Sequence, residues 1–438
     1  MRKPLSIIAG LGAASLLLTG CLSANKPADD ATTGGQAGAK ETVSIMYAFS
    51  GEQSTTFQTD MKAWADKNNI KLEFTQSNEF EVQISTRVNA GNAPDIAIFP
   101  QPGILQKMAS DGKLAELGTQ VDLPKLQGDI IPGFLDSATV GGKVYAAPMS
   151  MNGKSFYWYN KKAFEAKGYT PPKTHDELLA LIDKIKGEGV PPICYGMESG
   201  SATGWPATDW IEDYVLQTSG PEVYDKWVKG EIKFDSPEIR KAFDVYNQVL
   251  MTEGNVYGGV KNATANAFGT ALNPMFDNPP KCYMGKQGNF ITQKGFFPDK
   301  IAANLDENVG MFLTPSVSGE HPVLGGGDLA AAFTKNDDNV KKVMAFMLTD
   351  PAFGEKQSQT GSWLSPLKSF DVAKYPSETL RTVVKDMQAG TAFRFDGSDQ
   401  MPGAVGAGSF WTGMVDYTTG RKNLDDTLKT IDSSWPKK

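Results

Sequence analysis

Between Val43 and Phe99 the chain alternates short apolar runs with longer segments whose apolar positions recur at helical spacing. The runs are Val43–Phe49, Leu72–Thr75 and Ile96–Phe99. The last has no polar position, the pattern of a strand covered on both faces of a parallel sheet. Phe57, Met61 and Trp64 stand at i, i+4 and i+7, and predict a helix with Ser54 as its N-cap and Asn68-Asn69 at its end. A second helix, through Ile84 and Val88, stops at Gly91. Strand, helix, strand, helix, strand implies right-handed crossovers in a parallel α/β sheet. Ligands collect beyond the carboxyl ends of such strands. There the runs deliver polar loops: Ser50-Gly51-Glu52-Gln53, Ser77-Asn78-Glu79-Phe80-Glu81, and Gln101 between Pro100 and Pro102. Glu52, Glu81 and Gln101 are therefore candidate ligand contacts on one rim; the plainer reading makes them solvated loop residues.

Farther along, Ile104–Ser110 reads as a short helix closing at Gly112, and Gly141-Gly142 as a hairpin turn between Ala138–Val140 and Lys143–Ala146. The aromatic run Ser155–Asn160 predicts a strand that crosses into a second lobe. Thr174 with Glu177 forms a capping box ahead of Leu178, Leu179, Ile182 and Ile185. A strand near Ile193–Gly196 is followed by a glycine-rich loop from Ser199, which opens a helix at Trp205-Pro206 that runs to Thr218. Ser236-Pro237 starts another helix, with Ile239, Phe243, Tyr246 and Leu250 inward. Residues 273–297 show no period. A strand is expected at Val309–Leu313 and helices at Asn339–Leu348 and Leu424–Ile431, with a glycine-punctuated loop from Met401 to Trp411. Gly325-Gly326-Gly327-Asp328 marks a backbone forced into close approach.

A chain of 438 residues with 40% hydrophobic content can bury a large core and divide into two or three domains. Its net charge of −7 argues against a nucleic-acid partner. Arg2 and Lys3 ahead of the apolar run Ile7–Leu18 read as an export signal, and Leu18-Thr19-Gly20-Cys21 as a lipobox that makes Cys21 the lipidated N-terminus. Residues 22–40 are a flexible tether by composition. Cys194 and Cys282 remain, either as a disulfide or as two buried thiols. With only His175 and His321 and no zinc-type spacing, neither a metal nor a cofactor is expected.

No GxSxG, HExxH, P-loop or GxGxxG pattern occurs. A carboxylate pair for glycoside hydrolysis needs only two acids at a set separation, so Glu52, Glu81, Asp209, Asp277 and Asp328 stay eligible. More telling are aromatics beside polar groups: Trp205, Trp210, Phe410 and Trp411, with Lys154, Asp209 and Asp328. A sugar ring offers an apolar C–H face to aromatic rings and a belt of hydroxyls to carboxylates and amides. Trp210, inside a helix, reads as core; Trp205, between Gly204 and Pro206, reads as a contact.

Ala90-Gly91-Asn92-Ala93-Pro94-Asp95-Ile96, after a strand–loop–helix start and a lipobox, resembles the solute-binding proteins of carbohydrate ABC importers, the maltose-binding-protein-like group. The α-glucoside-binding branch is the most similar, through Phe99-Pro100-Gln101-Pro102-Gly103, Thr203-Gly204-Trp205-Pro206 to Asp209-Trp210, and Met401-Pro402-Gly403 to Phe410-Trp411. Cys194 and Cys282 also sit where those relatives tend to carry cysteines. The resemblance implies two α/β lobes, residues 41–148 plus 321–364 and residues 149–320 plus 365–438, that close on a sugar. It implies Glu52, Glu81 and Gln101 as contacts from the first lobe, Lys154, Trp205, Asp209, Phe410 and Trp411 from the second, and Asp328 either reaching the cleft or capping a turn. The partner is then a membrane permease with a separate ATPase, the protein works as a monomer held by its lipid outside the cytoplasmic membrane, and it is not an enzyme. One departure stands out: Gly285-Lys286-Gln287-Gly288-Asn289-Phe290 has glycine and asparagine where relatives carry alanine and serine, which implies a shifted sugar preference.

Overall fold

The structure is a computed structural model that describes residues 41–437. The export signal, Cys21 and the tether lie outside the described residues.

Thr42–Tyr47 pairs in parallel with Lys71–Gln76 on one side and Ile96–Phe99 on the other. Leu329–Ala332 and Ala146–Pro148 add two antiparallel strands, so the five-stranded sheet is mixed. Ile96–Phe99 is fully buried, and its period of two explains why. Ile96 and Ile98 pack into a cluster with Phe57 and Met61, whereas Ala97 and Phe99 pack on the opposite face with Phe80 and Leu105. Lys71–Gln76 takes the edge, where Lys71 and Glu73 face solvent and blunt further pairing.

The two polar segments expected as loops end in first helical turns, with Ser50 and Ser77–Glu79 left in the connections. One helix is Gly51–Lys67 and the next Phe80–Asn89, placing Glu52 and Glu81 where the helix dipole favours acids. Ser54 is therefore not the N-cap; it lies inside the helix, its hydroxyl 2.8 Å from that of Tyr47, and Ser50 takes the cap position. Only three residues join each strand to its helix, Ala48–Ser50 and Ser77–Glu79. Gly141 and Gly142, at φ 58° and 78°, turn a two-residue hairpin between Thr139–Val140 and Lys143–Val144. Thr174 and Glu177 make the reciprocal capping box.

Phe156–Asn160 lies antiparallel between Val309–Leu313 and Met284–Lys286. Val323–Gly326 lies between Phe393–Phe395 and Asn152–Gly153. Here the glycines are required: a Cβ on Gly325 would stand 2.2 Å from the Asn152 carbonyl oxygen, and one on Gly327 2.2 Å from that of Ser150. The expected strand at Ile193–Gly196 is reduced to single bridges from Ile193 to Val256 and Met284. Cys194 and Cys282 are disulfide-bonded, with Cα atoms 5.5 Å apart. The long helix Trp205–Val228 breaks at Gly220 before Pro221. Ala404–Phe410, expected within a loop, is a π-helical stretch running into the helix Trp411–Thr418. Its glycines serve packing, since a Cβ on Gly406 would lie 1.9 Å from the Ser398 carbonyl oxygen. Among the described residues no helix is long and apolar enough to cross a membrane.

Candidate functional site

A pocket of about 420 Å³ opens between the carboxyl end of Ile96–Phe99 and the start of the helix at Trp205. Pro100, Gln101 and the Gly326-Gly327-Asp328 turn line one side; Lys154, Trp205, Phe268, Phe290, Asp399 and Trp411 line the other. A larger cavity of about 660 Å³, bounded by Thr292, Asp306 and Leu380, has no aromatic ring in its wall. The smaller one combines several rings with converging polar groups in the way ligand sites do.

Gln101 occupies the N-cap position of the helix Pro102–Ser110 without a side-chain capping bond, and its Nε2 donates to Asp399 Oδ1 at 2.9 Å. Asp328 both caps and lines: its carboxylate accepts from Ser150 Oγ at 2.7 Å, and its N–H donates back to that oxygen at 3.2 Å. Trp205 opens its helix behind Gly204, at φ 119°, where a Cβ would come within 2.4 Å of the Trp411 carbonyl oxygen. Only glycine lets the two tryptophan-bearing segments meet there. Trp205 Nε1 donates to Ser199 Oγ at 3.0 Å, and Trp411 Nε1 to Ser398 Oγ at 3.1 Å. Phe268 and Phe290 buttress Trp205 edge-on, with centroids 4.9 and 5.9 Å away.

Lys154 is the polar centre. Its Nζ donates to Asp209 at 3.0 Å and Asp396 at 2.5 Å, and stands 5.1 Å from the centroid of Trp205. Below it, Lys286 pairs with Asp213 at 3.2 Å and donates to the Lys154 carbonyl oxygen at 2.9 Å. Burial lowers the Lys154 pKa, but Asp209 and Asp396 outweigh it, so the ammonium is held well above its ordinary value. Burial, resisted by Lys154 and reinforced by Asp396, pushes Asp209 up to about 8. Burial also acts to raise Asp396, yet the charge and hydrogen bond of Lys154 hold it down, to about 2. Glu212, which accepts from the Gly397 and Ser398 N–H groups, is pushed up by burial and by Asp396. Asp399 is raised by burial and by the same neighbour. Asp209, Glu212 and Asp396 bring ligand oxygens within 4.8 Å of one another, as a cation site would, but the Lys154 ammonium is already the cation bound to two of them.

Gln101, Lys154, Trp205, Asp328 and Trp411 thus meet in one pocket. Four other candidates do not line it. Asp209, 4% exposed, sits behind Lys154 and orients it. Phe410 is fully buried against Trp227 and Phe234, because consecutive helical residues point about 100° apart and Trp411 takes the pocket side. Glu52 and Glu81 stay on their helix starts at the strand ends. Trp210 is core, as its helical setting suggests. Asn289, which carries the departure in the lysine segment, also misses the pocket: it accepts from Gly153 N–H at 2.8 Å and donates to the Ser362 carbonyl at 2.9 Å. Sequence reasoning missed Asn152, Phe268, Phe290, Gln293, Phe296 and Asp399. The density of phenylalanines between Phe268 and Phe297 was the available signal.

Residues 50–352 match the model of the bacterial extracellular solute-binding protein family. The chain belongs to that family. Its members bind solutes for ABC transporters, so this protein is a binding component and not an enzyme. The alpha-glucosides-binding periplasmic protein AglE of Rhizobium meliloti is 36% identical over 395 residues, covering 88% of this chain and 85% of its own. The osmoprotective compounds-binding protein GgtB of Synechocystis is 35% identical over 400 residues, covering 91% and 93%. Among solved structures, RafE from Streptococcus pneumoniae superposes with a TM-score of 0.70 at 20% identity, covering 91% of this chain and 98% of its own. The galactopyranose receptor AcbH superposes at 0.74 and 17% identity, covering 90% and 97%. These likenesses show the fold: two α/β lobes with the ligand cleft between them.

Proposed function

We propose that the pocket binds an α-glucoside or short gluco-oligosaccharide, which the protein passes to an ABC permease when its lobes close. The observation that carries this is the joining of Trp205 and Trp411 with Lys154, Gln101, Asp328 and Asp399 around one cavity of disaccharide scale. Lys154 Nζ has two of its three N–H bonds engaged by the carboxyl groups of Asp209 and Asp396, and a hydroxyl can take the third. The name of the AglE relative supports the glucoside; that of GgtB supports a second reading, an osmoprotective compound. A thermal-shift screen with maltose, trehalose, sucrose, isomaltose and maltotriose decides, since a ligand of the folded state must raise the melting temperature. No shift with any of them removes the glucoside reading.

The return of Leu329–Ala332 to the first sheet supports a first lobe of two chain segments, but Val323–Gly326 pairs with Asn152–Gly153 and Phe393–Phe395, so the crossing back falls after residue 326 and not at 320. The sequence Leu18-Thr19-Gly20-Cys21 supports a lipid anchor on Cys21 outside the cytoplasmic membrane. Cys21→Ala should release the protein from membranes; unchanged retention removes the anchor.

A further inference from the structure

The Cys194–Cys282 disulfide is fully buried and does not touch the pocket, yet both chains leaving it lead there. From Cys194 the chain passes Gly196, where a Cβ would meet the Asn266 carbonyl oxygen at 2.5 Å, to Glu198, whose carbonyl accepts the Phe268 N–H at 3.0 Å. Ser199 follows, and its hydroxyl holds Trp205 Nε1. From Cys282 the chain forms Met284–Lys286, which supplies the lysine beneath Lys154, and then reaches Phe290. The two arms are laced beside the bond. Cys194 N–H donates to the Met284 carbonyl at 2.8 Å, and a Cβ on Gly285 would lie 2.5 Å from the Cys194 carbonyl oxygen. They meet again at Lys286, whose Nζ donates to the Asp209 carbonyl oxygen at 3.3 Å, and then at the pocket, where Trp205, Phe268 and Phe290 form an edge-to-face triad with centroids 4.9, 5.9 and 6.4 Å apart.

We propose that the disulfide is a positioning element for ligand binding, holding in register the two arms that present Trp205 and Phe268 on one side and Phe290 on the other. This rests on the sugar reading of the pocket. A three-ring wall built from two segments without continuous strand pairing needs a fixed origin. The covalent bond and its flanking hydrogen bonds supply that origin at the far end, and the Lys286 contacts with Asp209 and Asp213 carry it toward the pocket.

The test compares Cys194→Ala/Cys282→Ala with Val343→Ala, a core truncation under the five-stranded sheet, for sugar affinity and melting temperature. The double variant should lose more than about tenfold in affinity at a temperature where it remains folded, whereas Val343→Ala should lose stability and keep its affinity within about twofold. Affinity kept within about twofold in the double variant overturns the proposal. If the double variant does not fold, Gly285→Ala, which presses the arms apart with the bond intact, replaces it and should weaken binding likewise; unchanged affinity there overturns the proposal too. If no saccharide binds the parent, the sugar reading fails separately, and amide exchange decides the positioning. Protection lost across residues 196–206 and 286–296 upholds it, and protection retained there overturns it.

Discussion

Adjacent residues on one helix can serve opposite ends, and Phe410 with Trp411 are such a pair. Phe410 fills the core beside Trp227, while Trp411 faces the cavity. Phe410→Ala should therefore cost roughly 3–5 kcal/mol of stability and leave sugar affinity within about twofold, read by denaturant titration beside calorimetry. Trp205→Ala should do the reverse, weakening affinity by more than about tenfold, about 1.4 kcal/mol, with little change in the unfolding midpoint. Asp209 gives a test in pH. Its carboxyl is raised to about 8 in the fold, so between about pH 4 and pH 8 the folded chain binds more protons than the unfolded one. The contribution of Asp209 to stability is then full below about pH 4 and lost as the pH climbs toward 8. Relative to the parent, Asp209→Asn should gain stability across that window; a pH-independent difference would contradict the assignment. Asp396, held low, acts in the opposite sense and only below its ordinary value, so the two effects occupy separate windows.

Elements in this protein owe their placement to a few contacts outside their own sequence. The segment carrying Asn289 has a single short strand at its start and is fastened by one amide to Gly153 and Ser362. Asn289→Ala leaves a buried N–H and carbonyl unpaired, and should cost about 1–3 kcal/mol without changing which sugar is preferred. A changed order of sugar affinities would return Asn289 to the site. Helical and strand periods marked Ile96–Phe99, Val309–Leu313 and the box at Thr174 because burial on fixed faces writes itself into those segments. Periodicity is silent where side chains serve a cavity instead of a face. Residues 273–297 therefore show no period although Phe290, Gln293 and Phe296 line the pocket.

For the molecule as a whole, the pocket draws on distant segments, and Gln101 meets Asp399 across 298 positions of sequence. A sugar gripping both sides should favour a closed arrangement. Small-angle scattering should show a smaller radius of gyration at saturating sugar; an unchanged radius would remove lobe closure from the proposal. Local pattern by itself determined the parallel start of the first sheet, the hairpin and most of the helices, whereas the set Gln101, Lys154, Trp205, Asp328 and Trp411 comes through the family resemblance. Sheet, hairpin and helices each depend on which residues must be buried or must turn. Tertiary structure alone decided that Asp209 and Asp396 hold Lys154, that Phe410 turns inward, and that Asp399 and the phenylalanine wall join the site. Those facts follow from which distant segments are brought within hydrogen-bonding or van der Waals reach, and no period along the chain records that.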